Sequence, residues 1–139
     1  MITMAKRKKQ TLFKAKKKEA TAQATIKVGK GVVRINSRNL DLVEPNQLRS
    51  FIQEPLVLAG SAAQGVNISV HVEGSGPMSQ AVAARGAIAK SLVEFTGDEK
   101  LRKVYLEYDR MLLVDDPRRV EPKKPLGPKA RRRKQHSKR

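Results

Sequence analysis

The chain has 139 residues, 30 Lys/Arg against 13 Asp/Glu, a formal net charge of +17 and no cysteine. That length suits one domain, the missing cysteines exclude disulfides and thiolate chemistry, and no run of about 18 apolar residues is there to span a membrane. Residues 1–19 hold eight bases and one acid, residues 118–139 hold eleven and one, and the 98 residues between carry eleven of each. A balanced, foldable middle between two cationic arms is the layout that binding a dense polyanion requires. Arms so charged repel themselves and stay extended until an anion neutralises them.

At the start, Met1 to Thr3 lead into Lys6-Arg7-Lys8-Lys9 without an apolar stretch. A secretory signal is therefore not expected, Met4 offers a second start, and a soluble intracellular protein fits best. Residues 5–19 read as a solvated basic arm with room for a helical turn. ATIKV (24–28) and VVRIN (32–36), joined across Gly29-Lys30-Gly31, predict a β-hairpin. Ser37-Arg38-Asn39 turns the chain into a short apolar run, Leu40–Val43.

Pro45 predicts a helix start, with Leu48, Phe51 and Ile52 on its buried stripe, an interruption at Pro55 and closure at Gly60. VNISVHVE (66–73) alternates strictly, as a half-buried strand does. Gly74-Ser75-Gly76-Pro77 then leads into the longest helix, about 78–95, whose stripe is small at first (Ala81, Ala84) and larger later (Ile88, Leu92, Phe95). Small residues let a helix backbone approach a sheet closely. Gly97 ends that helix, and Asp98 caps a further one with Leu101, Val104, Tyr105 and Tyr108 on its apolar stripe. Asp115-Asp116-Pro117 stops regular structure.

This order predicts an α+β fold: a two-layer sandwich, a small mixed sheet with helices on one face, and extended basic N- and C-terminal tails. The divisions are an arm over 1–19, a globular domain over 20–117 and a tail over 118–139.

The tail carries the strongest functional signal. Arg118, Arg119, Lys123, Lys124, Lys129, Arg131, Arg132, Arg133 and Lys134 recur between polar or proline spacers. Guanidinium forks match phosphate oxygens, and each neutralised phosphate releases a counterion. Fully extended, such a tail reaches roughly 70 Å. A solubilising or nuclear-import tail is the plainer account, but acids would serve solubility as well.

Gly74-Ser75-Gly76 before a helix start suits either a tight turn or a phosphate contact. Arg85 flanks the buried stripe of its helix, where it either snorkels as structure or reaches a phosphate. His71 and His136 are too isolated for a metal site, and Asp115-Asp116 pairs more simply with Arg118 and Arg119 than with a metal. No enzyme motif, cofactor site or small-molecule site stands out. The basic segments lack the apolar face that a membrane surface needs. Neither predicted hairpin strand nor the 66–73 strand carries a Phe, Tyr or Trp, which argues against base stacking and for contact with backbone and shape.

The segments KKKEATAQATIKVGKGVVRIN (16–36), IQEPLVLAG (52–60), GSGPMSQAVAARGAIAKSLVEF (74–95) and YDRMLLVDDPRRVEPKKPLGPKARRRKQHSKR (108–139) together resemble the family of the ninth small-subunit ribosomal protein, in its archaeal form. The resemblance spans about residues 15–139. It implies a non-enzymatic protein of the cytoplasmic ribosome, in the head of the small subunit, with small-subunit rRNA, P-site tRNA and neighbouring head proteins as partners. By position, Gln135, Ser137, Lys138 and Arg139 match the family's tRNA-proximal end. Lys16, Lys17 and Lys18 match its first basic run, and Gln80 and Arg85 its central helix. Arg34, Arg38 and Lys90 complete the candidate rRNA contacts. Ala15 and Ser79 stand where the family usually has glycine, and residues 5–14 have no clear counterpart. A free nucleic-acid-binding protein, of the nucleoid or RNA-chaperone kind, is the alternative.

Overall fold

The computed structural model describes residues 11–137. The expectations for residues 1–10, Lys138 and Arg139 lie outside the described residues.

The first element departs from the expected arm. Leu12–Lys17 is a strand, β1, joined to β2 (Ala20–Val28) by a two-residue turn with Lys18 at φ 53°. The two pair antiparallel, from Lys17 opposite Ala20 to Leu12 opposite Thr25. Phe13 and Ala15 alternate inward between Leu12, Lys14 and Lys16, a period-2 pattern that the basic composition masks. A lysine-studded strand is also what a sheet edge favours, because charge discourages pairing with other chains.

The predicted hairpin across Gly29-Lys30-Gly31 does not form. The sheet order is β1-β2-β5-β3-β4, with β5 (Val66–Glu73) between β2 and β3 (Val33–Ile35). β5 pairs antiparallel with β2 from Thr21–Glu73 to Val28–Val66, and parallel with β3. The glycines serve a different purpose from the one expected. A Cβ on Gly29 would collide with the Asn67 amide, whose Oδ1 accepts from Lys30 N (2.9 Å) and Val32 N (3.1 Å). This carries the chain past the end of β5 rather than back along β2.

β3 turns at Asn36 and Ser37, both at positive φ, into the two-residue strand β4 (Arg38–Asn39). The Asn36 amide donates to Val72 O and accepts from Val72 N, extending the ladder beside β5 with a side chain. Leu40–Leu42 is a 3-10 turn.

Helix α1 (Asn46–Ala59) begins after Pro45, as expected, but runs through Pro55. A proline inside a helix removes one hydrogen bond and costs about 3 kcal/mol. Here Pro55 is fully buried, and its carbonyl accepts the Tyr105 hydroxyl at 2.7 Å. Tertiary packing therefore outweighs the local break. The single turn α2 (Ser61–Gln64) precedes β5.

β5 alternates buried and exposed along its whole length. α3 (Pro77–Thr96) has proline in its first turn and ends at Gly97, in the left-handed conformation, whose N–H bonds Val93 O at 2.9 Å. Its small face lies against the sheet so closely that a Cβ on Gly86 would come 3.3 Å from Ala15 Cβ. The helix α4 (Glu99–Tyr108) is capped by Asp98, which accepts from Lys100 N at 2.9 Å. Its buried stripe is narrower than expected: Leu101 and Tyr105 are inside, whereas Val104 and Tyr108 are exposed.

Alanines of β1 and β2, valines and Ile68 of β5, and Ala84, Ala87, Ile88 and Leu92 of α3 form the core. α1 packs on α3 and α4 packs on α1, so the helices cover one face of a mixed sheet. This is the predicted α+β arrangement. Among the described residues nothing packs against the other face.

Candidate nucleic-acid interface

The C-terminal tail leaves the body at a clasp of acids. After a 3-10 turn (Arg110–Leu112) buries Leu112, Asp115 and Asp116 face the end of β1. Asp116 is buried. Its carboxylate accepts from the Lys17 ammonium, from Arg118 N (2.9 Å) and from the Arg118 guanidinium (2.7–3.1 Å). Hydrogen bonds from Arg118 and then Lys17 hold the Asp116 carboxyl well below the usual carboxylate range. Beside it, Lys90 of α3 donates to Asp115 Oδ1 (2.7 Å) and to Lys14 O (3.1 Å). The clasp ties helix, edge strand and tail root together. Of the expected pairing of this acid pair with Arg118 and Arg119, the Asp116–Arg118 contact is present, whereas Asp115 pairs with Lys90 and Arg119 donates to Arg118 O at 3.4 Å.

Several predicted phosphate contacts have intramolecular partners in this structure. Arg85 is 5 % exposed. Its Nη1 donates to Asp109 Oδ2 (2.9 Å), and its Nη2 lies 2.6 Å from Glu54 Oε2, a charge contact too poorly aligned to count as a hydrogen bond. Its guanidinium also sits 4.4 Å from the Phe51 ring centroid. Of the two readings open for Arg85, the structure gives the structural one. Gln80 folds back, Nε2 donating to Gly74 O at 3.0 Å. The Gly74 turn it fastens needs glycine, because a Cβ there, at φ +82°, would come 2.6 Å from Glu19 O. Lys17 and Lys90 belong to the clasp, and Arg118 joins it while its side chain stays largely open to solvent.

The remaining candidates are exposed: Lys16 and Lys18 around the first turn, Arg34 and Arg38 on the β3–β4 hairpin, and every predicted base from Arg119 to Lys134. Gln135 and Ser137 are exposed at the far end. From Pro117 to Ser137 the tail has no helix or strand. Glu121, its one acid, accepts from Lys124 (3.0 Å) and Arg131 (2.9 Å), and Lys134 N bonds Leu126 O at 3.3 Å, closing a loose loop. Among the described residues no group of acids, histidines or cysteines has metal-site geometry, and no helix is long and apolar enough to cross a membrane. The sequence reading missed Lys14 and Lys27 as exposed bases of the uncovered sheet face; the alternation over 12–17 is the signal that could have found Lys14.

The sequence profile of the family described as Ribosomal protein S9/S16 matches residues 15–139. The small ribosomal subunit protein uS9 of Methanococcus maripaludis strain C7 is 44 % identical over 125 residues, covering 87 % of this chain and 93 % of its own length. Its counterpart in Methanococcus vannielii shows the same identity and coverage. The chain belongs to this family of ribosomal proteins. It is a structural, non-enzymatic constituent of the ribosome.

Proposed function

We propose that this protein binds rRNA in the head of the small ribosomal subunit, beside other head proteins, and that its C-terminal end reaches the P-site tRNA. The observation that carries the reading is the exposed, irregular, arginine-rich tail rooted by a buried carboxylate on a neutral body. A folded body can settle in an rRNA pocket, while a chain without regular structure enters gaps a domain cannot. Neutralising phosphates releases counterions, which offsets the ordering entropy of the tail. At its end, Gln135, Ser137, Lys138 and Arg139 offer polar and charged contact without base readout, a grip suited to every tRNA alike.

Deleting residues 137–139 tests the tRNA part. The expected result is normal subunit assembly with weakened P-site tRNA retention; unchanged retention would remove the tRNA contact from the proposal. For the rRNA part, the full chain should sediment with the small subunit at moderate salt, and failure to co-sediment overturns it.

A further inference from the structure

Residues 20–117 are neutral in total, but the sheet they build with β1 is not neutral face by face. The register of the strands places Lys14 and Lys16 of β1, Thr21, Gln23, Thr25 and Lys27 of β2, Ser69 and His71 of β5, and Arg34 of β3 on the side of the sheet away from the helices. Of the eleven acids within 20–117, only Glu73 stands there, at the end of β5 beside His71. The others lie on helices and connections, and Glu54, Asp109, Asp115 and Asp116 are already paired with bases. The uncovered face is therefore a cationic plane, made by Lys14 and Lys16 of the basic first segment together with Lys27 and Arg34 of the neutral 20–117 stretch.

We infer that this open sheet face is a second RNA-binding surface, independent of the tail, that takes a double-helical rRNA segment by its backbone and shallow minor groove. The inference rests on the rRNA-binding reading above and deepens it. Charge complementarity selects a polyanion. The spacing favours a duplex: Lys14 and Arg34 stand three strands apart, about 14 Å across the sheet, with Lys16 roughly 7 Å along from Lys14. A plane that broad touches both rims of a wide groove rather than a single strand. Between the cations lie hydroxyls and amides (Thr21, Thr25, Gln23, Ser69), groups that exchange hydrogen bonds with 2′-hydroxyls. No Phe, Tyr or Trp is among the register positions of this face, and His71, beside Glu73, is its one ring, so a platform for stacking successive unpaired bases is missing there.

The test uses the full chain and deproteinised small-subunit rRNA. The double variant Lys14→Glu/Arg34→Glu is compared with Lys100→Glu/Lys103→Glu, two exposed positions of α4 that change net charge equally. The sheet pair should weaken binding at least tenfold near physiological salt and lower the slope of log K against log salt by about two, since each lost phosphate contact removes about 0.9. The α4 pair should change affinity less than threefold. Equal losses from both pairs would mean that net charge alone acts, and would overturn the inference, as would no loss from the sheet pair. Matched unfolding midpoints exclude misfolding as the cause. A photoreactive residue at Ser69 gives a second readout in assembled subunits: crosslinks to rRNA support the face, whereas crosslinks to a neighbouring protein, or none, overturn it. If the unaltered chain itself fails to bind the rRNA, the underlying function has failed rather than the assignment of this face.

Discussion

Replacing Arg85 by alanine separates structure from RNA recognition at the centre of the body. The substitution removes a 2.9 Å hydrogen bond to Asp109, a 2.6 Å charge contact to Glu54 and a cation–π contact to Phe51. Breaking a buried ion pair from one side costs about 3–5 kcal/mol when the partner is left buried. Glu54 and Asp109 keep 28 % and 34 % side-chain exposure, so water can partly take them back, and the figure falls to about 2–4 kcal/mol. Against a total stability of about 5–15 kcal/mol that is a large fraction. Urea unfolding should show it as a midpoint lowered by roughly 1–2 M at an m-value of about 2 kcal/mol/M. Combining Arg85→Met with Glu54→Gln and Asp109→Asn should recover much of the loss, because no charge is then left unpaired. At temperatures where the single variant is folded, its rRNA affinity should equal that of the unaltered chain. An unchanged midpoint with lost rRNA affinity would refute the reasoning and return Arg85 to the phosphate contacts.

The clasp should show itself at acid pH. With its carboxyl held well below the ordinary range, Asp116 contributes stability that is fully present above the usual aspartate pKa of about 3.9 and lost as pH falls through its lowered value. Asp116→Asn should therefore flatten the acid limb of the stability–pH curve, and an unchanged limb would remove the clasp from the account. Burial pushes the Tyr105 hydroxyl above its ordinary value, so the fold keeps it neutral. Its stability contribution is complete below about pH 10 and is lost as pH rises beyond that. In a Tyr108→Phe background, where Tyr105 is the one tyrosine left, tyrosinate absorbance should appear together with unfolding rather than before it. Gly74→Ala combines a positive φ with a Cβ at 2.6 Å from Glu19 O and should lose about 1–3 kcal/mol in denaturant unfolding.

Much of the body was legible because its signals are local. The alternation of 66–73 needs only that one face be wet, whichever strands lie alongside. The small-to-large stripe of α3 from Ala81 to Leu92, its end at Gly97 and the cap at Asp98 are likewise set by neighbours within a turn or two. Phe95, expected on that stripe, lies in the last turn and is exposed. Gly29 and Pro55 were misread for the opposite reason. A glycine looks the same in sequence whether it turns the chain or makes room for Asn67. A proline in a helix is tolerated only when something distant, here Tyr105, packs against it.

The chain by itself determined the segregation of charge and the α+β order of elements, both of which depend on composition and short-range period. Tertiary structure decided which strands became neighbours and which cations are engaged. Lys17 meets Asp116 across 99 residues of sequence, and Arg85 meets Asp109 across 24. Whether a base faces solvent or closes on an acid depends on which carboxylate folding brings within about 3 Å. No reading along the chain contains that distance.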